Sequence, residues 1–322
     1  MSPEARARAI TGRFALLGVL AVLAVAGFML LGLRGNWGFV LSIRTGKLAG
    51  LVLVAVAVGS ATVVFQTLTS NRILTPSIMG FDALYILLQT VLVFSLGAMQ
   101  TTALDARAMF LAETAMLLAF GGLLYHWLFG ATARSLHLLL LAGIVLGVFF
   151  RSISGLLQRI MDPGEFLVLQ DRMFASFNTV NHELLALAAL IVGAVLVAFW
   201  RMRRVLDVLA LGREAAIGLG VAHARMVALA LGLVTVLVAV STALVGPISF
   251  FGLLVANLAY LMFPTARHAV LVPAASLLGV VALVGGQTIL ERVLSHDTAL
   301  SVVVEFIGGI VFILLVMRGG AR

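Results

Sequence analysis

Long blocks of apolar residues, separated by short polar stretches, run along this whole chain. They lie at about 14–33, 46–69, 77–98, 108–129, 136–158, 183–201, 223–245, 248–262, 269–290 and 300–317. A helix crossing a bilayer needs roughly 20 apolar residues, because each residue rises about 1.5 Å through a hydrocarbon core about 30 Å thick. Most blocks meet that length, and 248–262 is short for a full crossing. In lipid only helices and closed barrels satisfy their own backbone. A barrel would show alternating strands of about ten residues, whereas these blocks are continuous. The pattern predicts an all-α, polytopic membrane protein of about ten transmembrane helices, forming one domain over residues 1–322.

Two polar segments exceed plain turns. Residues 158–182 hold the turn signal Asp162-Pro163-Gly164, flanked by pieces that read as short amphipathic helices lying on the outer surface. Residues 201–222 form an inner segment, with its distinctive part at 208–222. Glycines are frequent inside the spans, and Gly143-x-x-x-Gly147 predicts a close helix crossing within one bundle.

Charge sharpens this picture. Only 11% of residues are charged and 62% are apolar, against roughly 25% charged in soluble chains. The basic residues stand singly or in small groups between apolar blocks, with no basic stripe interleaved with aromatics. That excludes a nucleic-acid surface and assigns them to orientation instead. With both termini inside, 13 of the 21 lysines and arginines fall on the inner side and 8 on the outer. Cytoplasmic termini are therefore expected. Arg6, Arg8 and Arg13 precede the first block like the start of a signal peptide. That block runs on to Leu33, longer than a signal core of about 7–15 residues, which predicts a retained first span.

The chemistry of enzymes is mostly missing. No G-x-x-x-x-G-K-[ST] is present, so no Walker loop binds nucleotide here. His182-Glu183 opens like a zinc-protease motif, but no second histidine follows at the required spacing. The six histidines are scattered, cysteine is absent, and no metal site or bound cofactor is expected.

The stretch 208–222, VLALGREAAIGLGVA, reads as a short helix between glycine breaks at Gly212, Gly218 and Gly220. Such a helix suits docking into another protein's groove, or lying at the interface without a partner. The wording ALGREAAIGLGV is similar to the coupling segment of the iron-chelate and cobalamin permeases of ABC importers. Further resemblance lies in SNRILTPSIMGFDALY at 70–85, LLAGIVLG at 140–147, STALVGPISFFGLLVANLA at 241–259 and VVVEFIGGIVFILLVMR at 302–318. These blocks cover most of the chain in the family's order. Ala256-Asn257 stands where the family often has Pro-His, and Phe81-Asp82-Ala83 where many members have small residues. Together with DPGEFLVLQDRMFASFN, they resemble the branch that handles catecholate or related iron siderophores.

The resemblance implies the type II ABC importer permease fold in the bacterial inner (cytoplasmic) membrane, and import of an Fe(III)–siderophore complex by alternating access. It implies three kinds of partner: ABC ATPase subunits holding ATP and Mg, a periplasmic or lipid-anchored substrate-binding protein, and a second permease subunit. Heterodimer is favoured over homodimer, since the branch often pairs different permeases. ATPase coupling would fall to Leu211, Gly212, Arg213, Glu214, Ala215, Ala216, Gly218 and Gly220. Arg44, Lys47 and Arg292 would meet acidic residues of the binding protein. Arg134, Ser135 and His137 would form the inner gate before the fifth span, which, with the short helix after it, would line the path.

Polar residues inside apolar spans are costly in lipid and mark candidate path residues. Gln66, Gln89, Asn257, Gln287 and Glu305 qualify. Three other readings stay open: a cobalamin or haem permease, an ion-gradient-driven secondary transporter with a midplane acid, and an intramembrane enzyme. The last needs paired acids or histidines at one depth, which the sequence does not display.

Overall fold

The computed structural model describes residues 3–33, 35–129, 136–177, 182–293 and 300–319. Ten helices of twelve or more residues carry the bundle: α1 (Pro3–Leu30), α2 (Trp37–Leu68), α3 (Phe81–Leu96), α5 (Ala106–Phe129), α6 (Leu136–Ile160), α8 (His182–Leu209), α10 (His223–Val245), α11 (Phe251–Met262), α12 (His268–Thr288) and α13 (Leu300–Gly319). Three short helices join them: α4 (Ala98–Ala103), α7 (Pro163–Met173) and α9 (Arg213–Gly218). All the described secondary structure is helical, so the all-α expectation holds.

Several helices outrun their apolar blocks. α1 starts at Pro3 rather than near 14, α2 at Trp37 rather than 46, and α8 continues through Arg201, Arg203 and Arg204 to Leu209. A helix ends where its backbone hydrogen bonds end; residues with good helix propensity carry α1 and α8 past their apolar blocks, and the Asn36 cap sets the early start of α2.

Helices α2 and α10 are the core. Along α2, Leu51, Val54, Ala55, Ala61, Val63, Val64 and Phe65 are buried, and α10 buries Ala230, Leu231, Val234 and Leu237. Helices apolar all round belong in the middle of a bundle. Helix α12 packs against α2, with Gly59 and Gly279 at the crossing. A Cβ on Gly279 would stand 3.0 Å from the Ala55 carbonyl oxygen.

Two crossings are incomplete as helices. α3 has 16 residues and α11 has 12, roughly 24 and 18 Å at about 1.5 Å per residue. Irregular backbone completes each of them. A 3₁₀ turn, Pro76–Met79, precedes α3, and residues 246–250 precede α11. Pro76, Met79 and Ile248 are buried. Non-helical backbone survives at membrane depth only when protein encloses it. This accounts for the shortness of the 248–262 block. Gly80, at φ +91°, ends the 3₁₀ turn against α6, where a Cβ on Gly143 would come within 2.8 Å of the Met79 Cα. The Gly143-x-x-x-Gly147 crossing thus lies inside the chain.

Candidate coupling and docking sites

One end of the bundle carries α9. Helix α8 stops at Leu209, and Gly212 at φ 95°, ψ 170° turns the chain into the six-residue α9. That region of backbone space is essentially glycine's alone. The far end closes with two backbone bonds, Val221 N–H to Ala216 O and Gly220 N–H to Ile217 O, with Gly220 left-handed at φ +81°. This double bond with a left-handed glycine is the Schellman stop. Gly218 is an ordinary helical residue without positive φ, so the breaks lie at Gly212 and Gly220.

α9 lies against α8 and α10 through Ala216, which is fully buried. Its remaining faces point outward. Leu211, Ile217 and Leu219 are 64%, 54% and 62% exposed, and Arg213, Glu214 and Ala215 are exposed beside them. Three large apolar side chains with a basic and an acidic residue make a surface suited to another protein's groove.

The same end is tied together beneath α9. Asp207 Oδ1, near the end of α8, accepts from the His268 backbone N–H and contacts His268 Nδ1, both at 2.7 Å. His268 Nε2 lies 2.8 Å from Thr67 Oγ1 at the end of α2. Gln66 and Asn257, expected as path residues, both donate to one carbonyl, that of Arg72, at 2.7 and 3.1 Å. The Arg72 guanidinium stacks over Tyr260 at 4.5 Å. These groups fasten the α2–α3 connection to α11. Arg134 and Ser135 lie outside the described residues; His137 sits in the first turn of α6, and its side chain also lies outside them.

The opposite end holds the start of α2 and the end of α12. Here Arg44 is turned inward and is only 3% exposed. Its guanidinium donates to the carbonyls of Phe28, Met29 and Gly32 at 3.1, 2.6 and 3.3 Å. These are carbonyls at the end of α1 that lack helical partners. Arg44 is therefore the cap of α1, with no surface to offer a docking protein in this arrangement. Lys47 and Arg292 both pair with Glu291, at 3.1 and 3.2 Å. Gln287 donates to the same carboxylate at 2.5 Å, so it belongs to this cluster. Glu291 escaped the sequence reading, although its i, i+4 spacing from Gln287 on an extended helix was the available signal. Arg292 remains exposed.

Two more polar groups lie within the bundle. Asp82 Oδ2 accepts from Ser249 Oγ at 2.8 Å, joining the starts of α3 and α11. Gln89 donates to Glu113 Oε1 at 2.6 Å and accepts from Arg172 of α7 at 3.2 Å. Glu305 is the acid that stands out in the final span, but Glu113 and Asp82 are also acids within spans. Among the described residues, no group of three or more His, Asp or Glu could hold a metal. A hydroxyl-rich cavity of ≈ 20 Å³ lies between the 3₁₀ turn and α10, room for about one water. The larger hollow, ≈ 620 Å³, is an open groove between α5 and α6 lined only by apolar side chains such as Phe120, Leu141 and Phe150.

Ten long helices, two of them completed by buried irregular backbone, define an integral membrane protein with a short helix bearing exposed apolar side chains at one end. The chain belongs to the FecCD transport family, whose model matches residues 13–318. It is 43% identical over 306 residues to the petrobactin import system permease protein YclO of Bacillus subtilis, covering 95% of this chain and 97% of that protein. It is 33% identical over 275 residues to the petrobactin import system permease protein FatC of Bacillus anthracis, covering 85% and 78%. A solved inward-facing metal-chelate type ABC transporter superposes with a TM-score of 0.81 at 23% identity, over 97% of this chain and 99% of that one. That likeness confirms the fold.

Proposed function

We propose that this chain is the permease subunit of an ABC importer that moves an Fe(III)–siderophore complex inward across the cytoplasmic membrane. The observation that carries the reading is the 43% identity, along nearly the whole chain, to a petrobactin import permease. The chain supplies no nucleotide site and works by alternating access. ATP and Mg sit on separate ATPase subunits, which grip α9. The termini and α9 face the cytoplasm, and the Lys47–Glu291–Arg292 end faces the binding protein. Two basic groups, Lys47 and Arg292, share one carboxylate there. Their positive excess suits an acidic partner and raises its on-rate.

A second permease completes the path, with an unlike partner favoured over a second copy. What supports a shared path is the exposed, largely apolar face of α6, including Leu141, Ile144, Val148 and Phe149. A large ligand passing between two subunits needs no chelating site in one chain.

The test is uptake of ⁵⁵Fe-loaded petrobactin, and of labelled cobalamin and haem, by iron-starved cells with and without this chain. Loss of iron uptake on deletion, restored by the gene in trans, is the expected result. Unchanged iron uptake with loss of cobalamin or haem uptake would replace the substrate reading.

A further inference from the structure

Helix α7 does not lie flat across the outer surface, as the amphipathic pattern of 158–182 suggests. It follows α6 after the turn at Met161 and Asp162, whose side chain caps it by accepting from the Gly164 N–H at 2.8 Å. It then runs back along α3. Glu165 stands beside Gly97 at the end of α3. One turn on, Leu169 is fully buried and clusters with Val93 and Met161. Arg172 reaches Gln89, which lies seven residues, or roughly 10 Å, before the end of α3. Beyond α7 the chain stays inside: Ser176 N–H donates to Val245 O at 2.7 Å, and Ala175 packs on Gly246. The segment is re-entrant.

What holds it there is a polar chain through three helices. Glu113 of α5 is 5% exposed and Gln89 is 2% exposed. Glu113 accepts from Gln89, whose carbonyl oxygen accepts from Arg172. A second strut runs beside it, from Gln158 of α6 to Thr90 of α3 at 3.2 Å. Glu113 lies seven residues into α5, a depth matching that of Gln89. A carboxylate at that depth is expensive unless a cation answers it, and Arg172 is the cation that the network supplies. Removing one partner of such a pair leaves the other charge uncompensated.

We infer that Glu113 is a positioning residue for transport: through Gln89 and Arg172 it latches the re-entrant helix α7 against α3, and the latch must yield when the outer side opens. The inference rests on the permease reading, since it treats α7 as a moving wall of the path. α7 is held to α3 and α4 by this charged network and by a small apolar cluster of Val93, Met161 and Leu169 with Ala98, Phe166 and Met173, so breaking the network loosens it without dissolving the core.

The chain has no cysteine, so a single-cysteine reporter is the one labelled site on this subunit, read from its own gel band. Leu169→Cys would report on α7, and Val234→Cys on the fully buried core of α10. Both are labelled with a membrane-impermeant maleimide in proteoliposomes of the assembled transporter without nucleotide. Arg172→Gln and Glu113→Gln should each speed labelling at 169 by about tenfold, within the usual range of coupling between sites, and leave labelling at 234 unchanged. Basal ATP hydrolysis should rise while iron moved per ATP falls, and Arg172→Lys should restore part of both. Equal labelling at 169 in parent and variants would overturn the latch. Faster labelling at both positions would overturn it too, because Glu113 would then be a stability residue. If ferric petrobactin is not transported by the parent at all, the substrate reading fails, while the labelling comparison still decides the latch.

Discussion

At one end of the bundle large apolar side chains stand in the open; at the other, charged side chains are tied to one another. Leu211, Ile217 and Leu219 project from a six-residue helix anchored only through Ala216. Lys47, Glu291, Arg292 and Gln287 are joined in a single cluster, and Arg44 beside them is spent on the end of α1. The contrast suits two kinds of contact. An apolar knob in a groove gives a lasting mechanical joint. A charged surface with a basic excess gives fast, salt-sensitive, reversible docking. An importer needs the first toward its motor and the second toward a carrier protein that comes and goes.

The comparison can be broken at several points. The largest effect belongs to the knob. Ile217→Asp with Leu219→Asp should abolish iron uptake by at least tenfold, since each buried side chain of this size contributes about 1.5–3 kcal/mol. Membrane insertion should be normal, as both side chains are exposed. Glu214→Arg should act in the same direction, more weakly. Normal uptake in both would remove α9 as the joint.

Arg44→Ala comes next and separates cap from docking residue. It strips three bonds from the end of α1, and hydrogen bonds to a charged group contribute roughly 1.5–3 kcal/mol each. Thermal unfolding of the purified protein should fall clearly, with binding-protein affinity in the surviving folded fraction little changed. The reverse pattern, intact stability and lost affinity, would return Arg44 to the docking surface. Gly212→Ala should destabilise by about 1–3 kcal/mol through its backbone conformation alone, while Gly218→Ala should be near neutral; melts of the two variants decide it. The smallest effect is expected from Lys47→Glu with Arg292→Glu. Affinity for the binding protein should drop several-fold at low ionic strength and the difference should shrink toward 1 M salt, where the Debye length is about 3 Å. A salt-independent loss would point to a packing defect instead.

How much of this was legible in the sequence follows from the range of each signal. Apolar blocks report local structure, so the ten long helices, seven of them long and apolar enough to cross a membrane among the described residues, and the shortness of 248–262 could be read directly. Gly212 and Gly220 could be read because a turn into and out of a short helix is a local matter. Contacts between distant residues were not legible. Nothing local shows that Gln66 and Asn257 converge on the Arg72 carbonyl, or that Arg44 reaches back to Met29. Polar residues in spans suggested a path; Gln66 and Asn257 bond to backbone, while Gln89 and Gln287 bond to side-chain carboxylates. Glu113 was hidden differently, as one acid in an apolar block whose answering charge lies 59 positions on, at Arg172. The re-entrant course of α7 was missed because an amphipathic pattern looks the same whether its polar face meets water or a buried Gln–Glu pair.

The most direct test of the account uses Ile217→Cys in this otherwise cysteine-free chain, cross-linked in native membranes of iron-starved cells and analysed by mass spectrometry. The account predicts one dominant adduct, to an ABC ATPase subunit, reduced in the Ile217→Cys/Glu214→Arg double variant in step with iron uptake. A protein that transports iron normally, yet yields adducts only to lipid-facing or unrelated proteins, would contradict α9 as the coupling helix.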